Sequence, residues 1–297
     1  MCILQDPDTL HIILPYFNYC GFDSRRTLFI QFVQRLQKVS GISLTVVEVG
    51  EDLPRLKVKN HIRLKQKNFI WIKENLINIG ISSLPDNWRF VAWIDADISF
   101  VNPKWVSETK AELRRNDIVQ MFQSAVNLGP DGETIKVDKS FAYMYKTSPY
   151  CVNDKYGHWH PGYAWAMTHR AWNRMGKLLD WAILGSADRH MAMAWIGKGH
   201  DSYPGGIQPS YKALIEKYQE DCAGMKISYV SGTILHHWHG SLENRRYKQR
   251  WTILVDNKFD PLRDTGIDDF GMLCLTTSGR RLEPELIKYF QGRKEDS

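Results

Sequence analysis

Three short apolar runs separated by helix-like segments most constrain the fold of this chain. Residues 10–17, 42–49 and 89–95 are rich in aliphatic, β-branched and aromatic residues, as in strands buried on both faces of a sheet. Apolar residues at helical spacing lie between them, in a segment that ends near Gly41 and in residues 67–80. This alternation is typical of a parallel sheet covered by helices.

The rest of the chain continues with shorter elements. We predict a helix from Pro103 to Arg115, a strand at 117–123, a loop at 124–140, a strand at 162–167, helices at 168–176 and 209–223, strands near 227–239 and a last helix at 284–297. The expectation is a single-domain α/β fold with a mixed, mostly parallel central sheet flanked by helices.

Composition narrows the class of protein. The chain has 297 residues, 43% hydrophobic and 24% charged, with a net charge of +6 that favours anionic partners such as nucleotides or nucleic acid. The five cysteines show no CxxC spacing, which argues against a zinc site and a disulfide framework. The sequence shows no signal-peptide pattern and no run of about 20 apolar residues. We expect a cytoplasmic protein with no membrane partner.

Two carboxylates follow the third apolar run. Asp95 and Asp97 stand at the carboxyl end of a strand, where ligands bind in open α/β sheets. A buried carboxylate is unfavourable unless it is paired or metal-bound, and Mg²⁺ and Mn²⁺ prefer oxygen ligands and bridge phosphates. The pair is a candidate metal site, although a surface Asp-x-Asp also occurs by chance.

Three histidines follow a late apolar strand, in the segment LHHWHG at 235–240. Alternation along an extended chain places His237 and His239 on one side and His236 on the other. A neutral imidazole can complete a metal site begun by carboxylates. We therefore expect His237 or His239 as a metal ligand; packed or solvated histidines are the alternative.

A basic segment comes next. Arg245, Arg246, Lys248 and Arg250 lie within six positions and could hold a diphosphate, because arginine matches phosphate oxygens in geometry. The same residues are the best candidates for contacting a nucleic-acid backbone. A solvated helix face is the other interpretation.

A further acid lies in GSADRHMAMAW. Asp188 is predicted in the first turn of a helix, where the helix dipole favours an ionised carboxylate. An ionised carboxylate in a cleft can act as a general base. Helix capping is the structural alternative.

Together these motifs resemble a nucleotide-sugar glycosyltransferase of the GT-A, Rossmann-like fold. The nearest likeness is to the catalytic domain of β-1,4-galactosyltransferases and the related C-terminal region of polypeptide N-acetylgalactosaminyltransferases. It spans residues 10–250 and adds to the motifs above the turn Pro15-Tyr16-Phe17-Asn18 after the first strand. The family's acid lies in a Gly-Glu-Asp context, whereas Ser186 and Ala187 precede Asp188 here.

The resemblance implies roles for these residues. Asp97 and a late histidine would bind Mn²⁺ or Mg²⁺, and Asp95 would bind the same ion or contact the ribose. Tyr16, Asn18, Arg245, Arg246 and Lys248 would bind the donor, with a UDP-sugar favoured. Asp188 would deprotonate the acceptor, giving inversion. The catalytic domain would be 1–255, with 256–297 an extension packed on it.

The acceptor stays open at this point. The motifs stand here without the stem and membrane anchor of Golgi enzymes, which suggests a bacterial, phage or viral type. A hydroxymethylated base of phage DNA is one candidate acceptor, and a glycan or protein hydroxyl is another. A sugar nucleotidyltransferase is less favoured, since LPYFNYCGF contains one glycine rather than a glycine-rich phosphate loop. A non-catalytic nucleic-acid-binding protein would leave the acids and histidines without a shared purpose.

Overall fold

The computed structural model describes residues 8–66, 68–152 and 159–297. The strands are β1 (Leu10–Phe17), β2 (Ile42–Val49), β3 (Asn60–Leu64), β4 (Phe90–Ile94), β5 (Ile98–Phe100), β6 (Ile118–Gln120), β7 (Ser124–Leu128), β8 (Thr134–Ser140), β9 (Trp159–His160), β10 (Ala164–Thr168), β11 (Ile227–Tyr229), β12 (Thr233–His236), β13 (Thr265–Ile267) and β14 (Leu273–Leu275). The α-helices are α1 (Asp23–Leu36), α2 (Lys73–Ser82), α3 (Trp105–Leu113), α4 (Phe141–Thr147), α5 (His169–Met175), α6 (Ala187–Trp195), α7 (Pro209–Asp221), α8 (Arg250–Asp256), α9 (Pro261–Asp264) and α10 (Glu283–Gln291). Short 3₁₀ helices span Pro149–Cys151, Gly199–Ser202, Leu242–Arg245 and Gly279–Leu282.

The three apolar runs form adjacent strands of a seven-stranded sheet. Its order is β11-β6-β10-β4-β1-β2-β3, and β10 runs antiparallel to both of its neighbours while the other described pairs are parallel. All five residues of β4 are buried, as expected for a strand covered on both faces. The predicted mixed, mostly parallel sheet flanked by helices is confirmed.

The core lies on both faces of this sheet. Ile13 and Val91 belong to one buried cluster, whereas Ile12, Leu14 and Ala92 belong to the other. This division follows from strand geometry, because successive side chains point to opposite faces. Both faces need apolar residues, which explains why the strands read as unbroken apolar runs rather than as alternating ones.

The prediction of a loop at 124–140 is wrong. β7 and β8 form an antiparallel hairpin within a second sheet of order β5-β12-β7-β8-β9. The glycines and the proline that suggested a loop lie in its turn, at 129–132. The flanking strands were missed because β8 is exposed over its first four residues and so carries a polar sequence.

Two helices have bounds that matter for the site. The helix predicted at 67–80 begins only at Lys73, and before it the backbone N–H of Trp71 donates to the carbonyl of Ile183 at 2.8 Å; Lys67 lies outside the described residues. The helix predicted at 284–297 ends at Gln291, and the residues after it contact the start of α1 and Gly240 in the loop after β12. Over the described ranges, no helix is long and apolar enough to cross a membrane.

Candidate active site

A cavity opens at the carboxyl ends of β1 and β4, where the sequence predicts ligand binding. Its volume is about 410 Å³, within the usual range for small-molecule sites. Residues from both sheets, from the starts of α2 and α6 and from the segment after α10 line it. Its charged lining includes Asp95, Asp97, Asp188, Lys73, Glu74 and Glu295.

Asp97, His236 and His239 converge at one side of this cavity. His239 Nε2 lies 2.8 Å and His236 Nε2 3.8 Å from Asp97 Oδ2, and one ligand atom from each residue fits within a span of 4.8 Å. Asp97 Oδ1 is buried and has no hydrogen-bond partner in the part of the chain that the structure describes. Burial would raise the pKa of Asp97, but His239 and His236 hold it well below its usual value. The set fits a divalent cation, and its imidazoles favour a transition ion such as Mn²⁺ over Mg²⁺.

The ring of His236 is oriented by the hairpin that the sequence did not predict. Its Nδ1 lies 2.9 Å from Asn127 Oδ1, while Asn127 Nδ2 donates to Asp138 Oδ2 at 3.0 Å. The Tyr163 hydroxyl donates to the same Asn127 oxygen at 2.9 Å. Because Asn127 Oδ1 can only accept, Nδ1 of His236 donates to it, and Nε2 is the ring nitrogen that faces Asp97 and is available to a cation.

His237 does not join the cluster. Its Nε2 lies 2.7 Å from Ser99 Oγ, on the other side of the chain. The predicted alternation paired the wrong histidines because β12 ends at His236, and the chain beyond it is no longer extended. Gly240, with φ +87°, continues this turn. His236 therefore takes the place that the sequence assigned to His237.

Asp95 pairs with a lysine rather than with the histidines. Lys73 Nζ contacts Asp95 Oδ1 from the first turn of α2. Burial raises the pKa of Asp95 above its usual value, although Lys73 opposes that change. The backbone N–H of Asp95 donates to the carbonyl of Tyr163 at 2.7 Å, and Tyr163 has the unusual φ of 74°. Backbone strain of this kind is concentrated at functional sites.

Asp188 lies where the sequence predicts it, in the first turn of α6 and in the cavity lining. Its Oδ1 accepts from the backbone N–H of Arg189 at 2.8 Å. Oδ2 lies so close to Gly162 that a Cβ there would be 2.7 Å away, which explains the glycine. Burial raises the pKa of the neighbouring Glu74 to about 7; Lys73 opposes this rise and the charge of Asp188 adds to it.

The basic segment divides between the cavity and the surface. Arg245 and Arg250 are buried and line the cavity, whereas Arg246 and Lys248 are exposed. Arg245 Nη2 lies 2.7 Å from His239 Nε2, and its Nε is buried without a hydrogen-bond partner among the described residues. Thus two of the four predicted anion-binding residues face the cavity.

Tyr16 and Asn18 differ in position. Tyr16 is buried in the cavity lining and its hydroxyl donates to Asp52. Asn18 is outside the described lining: its Nδ2 lies 3.0 Å from Asp52 Oδ2, and its Oδ1 accepts from the backbone N–H of Phe22 at 3.0 Å. The structure gives Asn18 a place in the turn between β1 and α1 instead of contact with the main cavity.

Sequence reasoning missed several lining residues. Lys73, Glu74, Asn127, Asp138 and Glu295 carry no motif of their own. The hairpin residues had a signal, since SAVNL and TIKVDKS flank the turn segment GPDG. Glu295 had none, because its contacts with Arg25 and His239 join segments that lie far apart in the sequence.

Comparisons with known proteins give remote likenesses. No family model matches the chain, and no curated protein sequence matches it. A mutant of Drosophila β1,4-galactosyltransferase 7 with manganese, UDP-Gal and xylobiose shares 13% identity, covering 94% of this chain and 98% of that one, with a TM-score of 0.44. Glucosyl-3-phosphoglycerate synthase from Mycobacterium tuberculosis with Mn²⁺, UDP and glucosyl-3-phosphoglycerate shares 12% identity over 91% and 87%, with a TM-score of 0.44. The 4-diphosphocytidyl-2C-methyl-D-erythritol synthase of Anaerococcus prevotii shares 10% identity over 76% and 90%, with a TM-score of 0.36.

Proposed function

We propose that this protein is a metal-dependent glycosyltransferase that moves a sugar from a nucleotide-diphosphate sugar to an acceptor hydroxyl. The observation that carries the proposal is the convergence of Asp97, His236 and His239 in a cavity that Arg245 and Arg250 also line. A hard carboxylate with imidazoles beside buried guanidinium groups suits a cation together with a diphosphate. The motif order of the sequence supports the same class.

A bound cation on one side and Arg245 on the other would hold the diphosphate of the donor. Asp97, His236 and His239 would bind a divalent cation, which when bound neutralises charge on the departing diphosphate. The Nε of Arg245, which has no partner among the described residues, is available to donate to a phosphate oxygen. Lys73 keeps Asp95 beside this site, where its second carboxylate oxygen could accept from a ribose hydroxyl. A UDP-sugar is the favoured donor.

Asp188 would act as the base. In the proposed step, the acceptor oxygen forms a bond to the anomeric carbon, the sugar–phosphate bond breaks with its electrons on the diphosphate, and the acceptor proton passes to Asp188. Attack from the face opposite the leaving group gives inversion. Support comes from the position of Asp188 in the same cavity as Asp97, on a separate element.

Isothermal calorimetry with UDP and GDP, with and without Mn²⁺, tests the donor class. We expect Mn²⁺-dependent binding of one nucleotide to the wild type, lost in Asp97→Ala. Asp86→Ala, at an exposed position outside the cavity, is the matched control and should bind like the wild type. Absence of nucleotide binding in the wild type with Mn²⁺ present would reject the proposal.

A hydroxymethylated base in DNA is one candidate acceptor, and the exposure of Arg246 and Lys248 beside the cavity residue Arg245 supports it; a glycan or protein hydroxyl is the alternative. Each basic side chain that neutralises a DNA phosphate adds about one to the magnitude of the slope of log affinity against log salt concentration. Removing both residues should therefore reduce that magnitude by about two. Binding of duplex DNA at several salt concentrations, by wild type and by Arg246→Ala/Lys248→Ala, measures this. An unchanged slope would leave a glycan or protein hydroxyl as the acceptor.

A further inference from the structure

The chain segment after α10 packs against the histidine loop. A Cβ on Gly240 would lie 2.9 Å from the Cα of Glu295 and 3.0 Å from the carbonyl oxygen of Lys294. Only a glycine allows the two backbones to approach this closely. The segment at 293–296 is therefore fitted to the loop that carries His239.

Several contacts fix the position of Glu295. Arg25 Nη1 donates to both of its carboxylate oxygens, at 3.2 and 3.1 Å, and Arg293 Nε lies 2.5 Å from Oε1. The next residue, Asp296, accepts from the backbone N–H groups of Asp23 and Ser24 at the start of α1, at 3.0 and 2.7 Å. Glu295 is only 2% exposed and belongs to the cavity lining, where these contacts hold its carboxylate.

This carboxylate faces the ring nitrogen of His239 that would not bind metal. Glu295 Oε2 lies 3.7 Å from Nδ1, while Nε2 lies 2.8 Å from Asp97 Oδ2. A neutral imidazole has one N–H, so a lone pair offered by Nε2 requires the proton on Nδ1. Arg245 Nη2 lies 3.0 Å from Nδ1 and 2.7 Å from Nε2 and can only donate, so Glu295, at the ion-pair distance of 3.7 Å, is the acceptor on the Nδ1 side of the ring.

We propose that Glu295 is a positioning residue for the metal site, and that it fixes the tautomer and the ring orientation with which His239 presents Nε2 to a divalent cation. This inference rests on the metal-dependent function proposed above. It assigns the segment at 293–296 a part in metal binding. His236 has a comparable oxygen on the same side of its ring, since Asn127 Oδ1 lies 2.9 Å from its Nδ1, whereas Glu295 Oε2 lies 3.7 Å from Nδ1 of His239.

Mn²⁺ binding in the absence of nucleotide, measured by electron paramagnetic resonance of the free ion, tests the proposal. Loss of an oxygen partner of a metal-ligating histidine typically weakens metal affinity by about 10–100-fold, and we expect Glu295→Met, which removes both carboxylate oxygens, to fall in this range. Glu285→Met is the matched control, since Glu285 lies on the exposed face of α10 and accepts from Asn257. An unchanged Mn²⁺ dissociation constant in folded Glu295→Met would overturn the inference.

A second variant covers the case in which Glu295→Met does not fold. Glu295→Asp keeps the charge for Arg25 and Arg293 but withdraws the carboxylate from His239 by one methylene. We expect Mn²⁺ affinity below that of the wild type, with thermal unfolding close to it; affinity equal to the wild type would overturn the inference. If the wild type binds nucleotide but no Mn²⁺, the metal site in the proposed function is rejected, whatever the Glu295 variants show.

Discussion

Asp97 and His239, which follow different strands in different sheets, meet with 2.8 Å between Oδ2 and Nε2. β5 links the two, because it directly follows Asp97 and pairs antiparallel with β12, so that His236 is opposite Ile98. The backbone N–H of His237 also donates to the carbonyl of Asp97 at 2.7 Å. Strand register thus sets the geometry of the candidate metal site.

Removing His236 should abolish Mn²⁺ binding, whereas removing His237 should not. His236 Nε2 faces Asp97. Losing the hydrogen-bond partner of a metal-ligating histidine typically weakens metal affinity by roughly 10–100-fold, and losing His236 itself should weaken Mn²⁺ affinity by more than that. His237→Ala loses one hydrogen bond with Ser99, worth about 1 kcal/mol of unfolding free energy. Calorimetric titration of Mn²⁺ into both variants distinguishes them. Equal losses of Mn²⁺ affinity in the two variants would contradict the assignment of His236, rather than His237, as a metal ligand.

Replacing Lys73 should move the pH dependence of donor binding upward. Burial already raises the pKa of Asp95, and Lys73 is the charge that opposes the rise, so Lys73→Met should raise that pKa further. Asp95 would then ionise only at higher pH, and Mn²⁺-dependent nucleotide binding would require higher pH. We also expect a loss of about 1–3 kcal/mol in unfolding free energy, less than for a fully buried pair because Asp95 is 26% exposed.

Binding profiles of nucleotide against pH for wild type and Lys73→Met measure this shift. Lys104→Met, at an exposed position before α3, is the control and should leave the profile unchanged. A downward shift in Lys73→Met would contradict the electrostatic argument.

The sequence alone predicts the sheet well because its strands are buried on both faces. β1 and β2 have the predicted bounds, and Asp95 and Asp97 follow β4 as expected. Asp188 is likewise in the first turn of a helix. These features are local: each depends on the chemistry of a few consecutive residues and on the end of one element.

The rest of the site depends on where separate elements meet, which no local pattern records. Choosing between His236 and His237 required knowing that β12 ends at His236 instead of continuing as an extended strand. The ion pair of Lys73 with Asp95 joins a helix start to a strand end. Glu295 reaches the cavity because the chain leaves α10 after Gln291, whereas the sequence predicts a helix to residue 297.

Glu74 should make the stability of the protein fall as the pH rises. Its pKa is raised from 4.5 to about 7 by burial, so between these values the unfolded chain has lost the proton that the folded chain retains. Unfolding is therefore favoured progressively from pH 4.5 to 7, by about 3 kcal/mol in total at 1.36 kcal/mol per pH unit.

Urea unfolding across this pH range, for wild type and Glu74→Gln, measures the effect. The free energy of unfolding of the wild type minus that of Glu74→Gln should decline from pH 4.5 to 7 and then level off. Glu51→Gln, at an exposed surface position, should show a constant difference from the wild type. A constant difference for Glu74→Gln as well would mean that folding does not raise the pKa of Glu74.

Asp188→Asn should separate donor binding from sugar transfer. The substitution keeps the size of the side chain, which matters because Gly162 packs against Asp188 Oδ2, but it removes the base. We expect kcat to fall by about 10²–10⁴-fold while Mn²⁺-dependent nucleotide binding remains close to wild type, since Asp188 lies outside the group of Asp97, His236 and His239. Steady-state kinetics, with the donor identified by calorimetry, provides the rates.

Asp86→Asn, at an exposed position, is the isosteric control for Asp188→Asn. The configuration at the anomeric carbon of the glycoside product, read by NMR, should be inverted relative to the donor. A retained configuration, or an Asp188→Asn variant with full kcat, would remove Asp188 from the role of base.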